Sequence, residues 1–238
     1  MLAPVDFFDL TERDTAVFFE NCTFVWEAIP RIAAQVARLT GGGQTILGAV
    51  MPGAYLSDRP IYIAEGARVE PGAYVHGPAY IGPGAVVRHG AFVRENVILL
   101  DGAILGHASE AKNSLFLPHA AAPHFNYVGD SILGHRVNLG AGTKLSNLGI
   151  LSEKDAGGKR PSIKLTINDT IYDTGLAKLG AVIGDKTQTG CNSVLNPGCL
   201  IGPRTLVYAN LSLRKGYHPA NSIIKLRQTV RRIDKVTR

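Results

Sequence analysis

Seven histidines and three cysteines are the residues of this chain best suited to move protons, attack carbonyls or bind metal. His119 and His124 stand five apart, flanked by His107 and His135. A catalytic zinc needs three protein ligands and one open position, so His107 or His135 would have to complete such a set. A neutral imidazole also serves as a general base near neutral pH. A lone histidine on a turn is ordinarily solvated, the interpretation given to His76, His89 and His218. Cys22, Cys191 and Cys199 are too few, and odd in number, for a disulfide framework. Cys191 and Cys199 read as small core residues. Arginine presents a planar fork to phosphate and lysine a point charge; Arg94 and Lys112 are either such a pair or exposed surface charges.

Charge and composition restrict the classes open to the chain. Its 238 residues, 45% hydrophobic and 18% charged, suffice for one substantial core and exclude a disordered chain. No apolar run approaches the roughly 18 residues of a membrane span. Asp6, Asp9, Glu12 and Asp14 occupy the place where a secretory signal would be basic and then apolar. With the cysteine usage, this predicts a cytoplasmic protein without membrane partners. The net charge of +6 resides in residues 214–238, which alone carry +7. Such a tail suits phosphate-bearing ligands, an acidic surface, or simply a solvated helix face. No set of stacking aromatics accompanies it, so nucleic acid is not an expected partner.

The elements that must position these side chains follow a six-residue period. Aliphatic residues recur at Ile63, Val69, Val75, Ile81, Val87, Val93, Leu99 and Leu105. Four positions after each stands a small or compact residue, among them Ala67, Ala73, Ala79, Ala85, Ala91 and Ala103. Glycine and proline commonly fill the intervals. Neither helical nor simple strand periodicity explains this pattern; a solenoid of short strands and tight turns does. After an interruption Leu133, Leu139 and Leu145 keep the period, residues 148–176 lose it, and it resumes at Ile183, Thr189, Leu195, Ile201 and Val207. The gap is expected to be a loop thrown out from the solenoid, ending in a hairpin or edge strand near Ile163–Ile167. Long loops of this kind are often functional.

Both ends are expected to be helical. Thr11 with Asp14 resembles a capping box. Val25, Ile29, Ile32, Val36 and Leu39 follow a helical stripe with Trp26 beside it, and Pro30 marks a kink or a first turn. Ile223, Leu226, Val230 and Ile233 form a second stripe behind Asn221. Helices there would close the open ends of the solenoid core. The predicted organisation is a helical segment over 1–45, a mainly β solenoid over 46–212 with its insert at 148–176, and a basic helix over 213–238.

Hexads of this type resemble the left-handed parallel β-helix (hexapeptide-repeat) acyltransferases and their relatives. That resemblance implies three hexads per triangular coil and three chains per homotrimer. The left hand comes from the resemblance, since β-crossovers in general favour the right. The same prism carries acyltransferases, carbonic anhydrases and non-catalytic modules, so the repeat leaves function open. A second signal narrows it. His124-Phe125-Asn126-Tyr127-Val128-Gly129-Asp130, then Val137-Asn138-Leu139-Gly140-Ala141-Gly142-Thr143 and Ser146-Asn147, resemble the acetyltransferase domain of the bifunctional enzymes that make UDP-N-acetylglucosamine. The wider similarity covers roughly residues 50–210.

The resemblance implies acetyl transfer from acetyl-CoA to an amino-sugar phosphate, glucosamine-1-phosphate first among them. It assigns His124 as the general base, Asn138 to the amine, Tyr127 to the sugar, and Arg94 and Lys112 to the phosphate. Asn147 falls on a further substrate position; Ala141, Cys191 and Ala209 fall on coenzyme-contacting ones, with a backbone N–H near Ala141 for the oxyanion. No metal is implied for this reaction. The family's nucleotidyltransferase domain, with its glycine-rich loop, has no counterpart in residues 1–45. A second lysine of the family falls in the insert, where Lys154, Lys159 and Lys164 all qualify. Tyr172-Asp173-Thr174-Gly175-Leu176-Ala177-Lys178-Leu179-Gly180 and Gly190-Cys191-Asn192 resemble an archaeal-type branch with broader amino-sugar use. Three alternatives stay open: a non-catalytic trimer binding a sugar nucleotide or CoA, a metal enzyme like the γ-class carbonic anhydrases, and another amino sugar as acceptor.

Overall fold

The computed structural model describes residues 2–227. Their main body is a three-sided parallel β-solenoid, consistent with a left-handed β-helix. Face one stacks nine strands from Gln44–Ile46 to Gly216–His218, and face two nine from Ala49–Val50 to Ile223–Ile224. Face three stacks eight, from Tyr55–Leu56 to Ser212–Leu213. The hexads explain the geometry. Ile63, Ile81 and Leu99 are register partners on successive coils, so three hexads make one turn. Every aliphatic position of the period from Ile63 to Leu105 is fully buried, and the alanines at the small positions fill the narrow remainder of the interior. The chain turns most corners through a residue with positive φ, such as Gly84, Asn96, Asn113 and Asn192. Glycine and asparagine reach that region at least cost.

The interruption after Leu105 is a contraction of the period. Ala111, Phe116, Ala122 and Val128 are inner, fully buried residues. The steps from Ala111 to Phe116 and from Val128 to Leu133 are each one residue short of a hexad. Both short steps lie at the corner between faces three and one. The insert leaves at that same corner after Asn147, and the expected hairpin is present, Lys164–Ile167 pairing antiparallel with Thr170–Asp173. Its two ends meet again: the Leu179 N–H donates to the Asn147 carbonyl (3.1 Å) and the Gly180 N–H to that of Asp130 (2.9 Å).

The N-terminal helices do not close an end of the solenoid; they lie along face one. The outward side chains of that face, Ile98, Leu100, Leu115, Leu117, Ile132, Val182 and Leu200, form a second core with Phe7, Phe18, Phe19, Val25, Trp26, Ile29, Ile32 and Val36. Apolar residues on both sides of a strand require cover on both sides. Pro30 sits within the 3-10 turn Val25–Arg31, directly before the α-helix Ile32–Thr40. The expected capping box at Thr11 does not form, because the Thr11 hydroxyl donates to Asp9 (2.8 Å) and Glu12 is the N-cap of the short helix that follows. The insert's hairpin belongs to this second core through Leu165, Ile167 and Tyr172. Trp26 stacks on Phe24 (centroids 4.7 Å, 7°) and meets Tyr172 edge-on at 6.3 Å. Trp26→Ala is expected to cost about 3 kcal/mol of stability, read as a lower denaturant midpoint, with proteolysis of the insert accelerated.

The basic helix expected from residue 213 is also corrected. Ser212–Leu213, Gly216–His218 and Ile223–Ile224 are strands, held by the solenoid register of Leu206 with Ile223 and Val207 with Ile224. The helical stripe begun at Ile223 is a strand at that point, and its later members Val230 and Ile233 lie outside the described residues. Among the described residues no helix is long and apolar enough to cross a membrane.

Candidate active site at one corner of the prism

The corner between faces two and three gathers the first group of sequence-predicted residues. His107 and His124 are register partners. The Gly142 N–H donates to the His124 carbonyl (2.9 Å), the Asn192 N–H to that of Ala141 (2.8 Å) and the Asn210 N–H to that of Cys191 (2.9 Å). His107, His124, Ala141, Cys191 and Ala209 therefore occupy one column, a coil apart, at about 4.8 Å per step. His124, Cys191 and Ala209 are exposed. The fold thus brings the histidine and the three predicted coenzyme positions to one edge.

That edge is held rigidly around His124. Asn126 is buried; its Oδ1 accepts the His124 N–H (3.0 Å), its Nδ2 donates to the Gly140 carbonyl (2.8 Å), and its own N–H donates to Ser109 Oγ (3.0 Å). Phe125, between them, has φ of 53° and a half-exposed ring set edge-on to His107 at 5.2 Å. A bulky residue in the left-handed region marks backbone strain next to the candidate base. Lys144 adds a charge there, donating from Nζ to the carbonyls of Phe125 (3.0 Å) and Gly142 (2.8 Å). Asn126→Ala is expected to cost about 1–3 kcal/mol by orphaning buried backbone groups. It should also lower turnover without touching a ligand, measured as a drop in kcat at unchanged coenzyme KM.

The second group lies on the adjoining face three. Lys112 is the register partner of Gly129, and Glu110 that of Tyr127 and of Phe92, which places Arg94 beside Lys112. Arg94 Nη1 donates to Glu110 (2.9 Å) and its Nε lies 3.6 Å from Glu95; Lys112 Nζ is 3.5 Å from the same Glu95. The Glu110 hydrogen bond raises the Arg94 pKa above its usual value. Burial pushes the Glu95 carboxyl up, yet its backbone hydrogen bond and the two cations together hold it below the carboxylate range. Burial, and then the charges of Glu110 and Asp130, push the Tyr127 phenol up, so it remains a neutral donor. Its hydroxyl reaches toward Asn147 Oδ1 (3.5 Å), while Asp130 accepts hydrogen bonds from Asn147 and from Asn113 (2.9 Å). Gly129 makes this possible, since a Cβ there would come within 2.6 Å of the phenol oxygen.

One predicted residue stands apart. Asn138 is exposed on face two, paired with Ala121 and Gln188, three positions along the strand from the level of His124 and so about 10 Å from it. The histidines of the metal alternative are divided as well: His119 and His135 sit at the corner between faces one and two, where His135 donates its N–H to Asp185 (2.7 Å). Among the described residues no three His, Cys, Asp or Glu side chains gather as a metal site. Sequence reasoning missed Glu95, Glu110, Asp130, Asn126 and Lys144. The alternation Glu110-Ala111-Lys112 around an inner alanine was the available signal for Glu110.

No family model matches the sequence. A bifunctional sugar-1-phosphate nucleotidylyltransferase/acetyltransferase of Sulfurisphaera tokodaii is 36% identical over 99 residues, 42% of this chain and 23% of that protein. The bifunctional protein GlmU of Methanococcus vannielii is 33% identical over 117 residues, 49% of this chain and 26% of that protein. The chain thus matches about a quarter of the length of these curated relatives. Among solved structures, the acetyltransferase domain of PglB from Neisseria gonorrhoeae FA1090 in complex with acetyl coenzyme A aligns with 81% of this chain and 58% of its own. That alignment has 14% identity and a TM-score of 0.25, values that add no weight to the comparison. Over nearly half its length, this β-solenoid is similar in sequence to the GlmU-type bifunctional nucleotidylyltransferase/acetyltransferases.

Proposed function

We propose that this chain is an N-acetyltransferase that moves an acetyl group from acetyl-CoA to the amine of an amino-sugar 1-phosphate, glucosamine-1-phosphate first, in sugar-nucleotide synthesis. The observation that carries it is the single edge where an exposed imidazole, aligned with Ala141, Cys191 and Ala209, adjoins the face bearing Arg94, Lys112, Tyr127 and Asn147. The names of the GlmU-type relatives support the same chemistry.

In this mechanism the sugar amine attacks the thioester carbonyl while His124 accepts its proton. The tetrahedral intermediate bears an oxyanion, met by a backbone N–H near Ala141. Collapse breaks the carbon–sulfur bond, and the departing thiolate takes the proton from His124, leaving N-acetyl sugar phosphate and CoA. Arg94 still has its Nη2 donors for the phosphate, with Lys112 beside it. Glu110 and Glu95 accept from sugar hydroxyls, Tyr127 donates, and Asn147 is oriented by Asp130. Asn138 reaches the amine from a neighbouring copy in a cytoplasmic homotrimer. The test is release of free CoA thiol from acetyl-CoA with glucosamine-1-phosphate or galactosamine-1-phosphate. Acceptor-dependent release is expected, and the two rates rank the sugars. No release with either acceptor from folded protein overturns the proposal in favour of a non-catalytic binding module.

A further inference from the structure

A cleft of about 940 Å³ opens between the inserted segment and the lower coils of face three. It lies beyond Asn147, further along the solenoid than the Arg94 and Lys112 cluster and separate from the His124 column. Three cations line it: Lys164 from the insert's hairpin, and Arg214 and Lys215 from the last coil of face three. No carboxylate lines it. Among the described residues none of the three cations makes an ion pair within 4.0 Å. The nearest acid in the pairing is Asp173, opposite Lys164 across the hairpin; the Lys164 charge acts on it, but its carboxyl is outside the cleft lining and is hydrogen-bonded by the Ser162 hydroxyl and the Gly175 N–H.

Bringing three like charges from two distant stretches to one cleft is unfavourable without an anion between them. Pro161, Ile163 and Pro197 give the cleft an apolar lining beside the cations. A ligand that satisfies both features carries two or more phosphate charges and an apolar, planar ring. The volume lies in the range of small-molecule sites, roughly 300–1,000 Å³.

We propose that this cleft binds a nucleoside diphosphate, with Lys164, Arg214 and Lys215 on the phosphates and the base against Pro161, Ile163 and Pro197. The site stands whether or not the chain transfers acetyl groups. Two sources carry this chemistry: a free or sugar-linked nucleotide, and the adenosine diphosphate portion of coenzyme A. Calorimetric titration of the full chain with UDP, ADP and CoA, without acetyl donor or sugar, separates them. Lys164→Ala, Arg214→Ala and Lys215→Ala, checked for native circular dichroism, are each expected to weaken the bound nucleotide about tenfold, the effect of one charge-assisted contact. Loss confined to UDP or ADP identifies an independent nucleotide site, and loss extending to CoA identifies the coenzyme's own nucleotide. Affinities unchanged in all three variants overturn the proposal, as does the absence of UDP, ADP and CoA binding below about 1 mM in the unaltered protein.

Discussion

His124→Ala lowers kcat/KM for acetyl transfer by two to four orders of magnitude, the usual span for removing a general base, and leaves the thermal midpoint unchanged. The two halves of that expectation come from different observations. The imidazole is exposed and its ring holds no other part of the fold, whereas the His124 backbone is fixed by Asn126 and by the Gly142 N–H. Truncation thus removes the proton acceptor and keeps the edge in place. The control is His107→Ala, one coil away, whose ring is committed to a hydrogen bond with the His89 carbonyl (2.9 Å) and to stacking on His89. It should lose far less activity. A His124→Ala protein that releases CoA thiol at the original rate refutes the general-base assignment.

Arg94→Ala raises the acceptor KM several hundredfold, about 3–4 kcal/mol, and changes kcat little. Arg94 does more than offer a charge to the phosphate. It neutralises Glu110 directly and shares Glu95 with Lys112. In its absence one lysine faces two carboxylates, and the field presented to a dianionic substrate reverses from balanced to repulsive. Arg94→Lys restores only part of the affinity, because a point charge cannot bind Glu110 and a phosphate oxygen in one plane. Steady-state kinetics with varied acceptor at saturating acetyl-CoA separates KM from kcat. A variant whose KM stays within a factor of three or so removes Arg94 from the phosphate site.

The inner core of the solenoid was legible because it is periodic and its period is unlike that of helices or isolated strands. Ile63 to Leu105 and Ile183 to Val207 all point inward, as their spacing predicts. Phe116, Ala122 and Val128 were harder to read, because deleting one residue at a corner shifts a six-residue frame without disturbing the coil. The second core was also legible in part: helices were expected in residues 1–45, but at an end of the solenoid and not along face one. It is encoded in runs such as Ile98-Leu99-Leu100 and Leu115-Phe116-Leu117, apolar on both strand faces. The placement of His124 with Ala141, and of Cys191 with Ala209, follows from coil length, whereas Ala141 and Cys191 align only because the insert between them closes on itself. The carboxylates Glu95 and Glu110 escaped notice because they matter through their partners, and side-chain pairing across coils needs the register that the contraction obscured. The helix expected at residue 213 failed for a related reason: Ile223 and Leu226 suit a helical stripe, yet Ile223–Ile224 complete one further coil in register with Leu206 and Val207.

The insert departs after Asn147 and rejoins at Leu179 with the two points bridged by a backbone hydrogen bond. The load path of the prism therefore bypasses it. Coils before and after are coupled by strand pairing, Leu133 with Ile183, Leu139 with Thr189 and Leu145 with Leu195, and none of that pairing passes through residues 148–178. A nick at the exposed bonds around Lys154 and Lys159 would divide the polypeptide in two and leave the solenoid standing as a single body, its halves sewn together by their own edges.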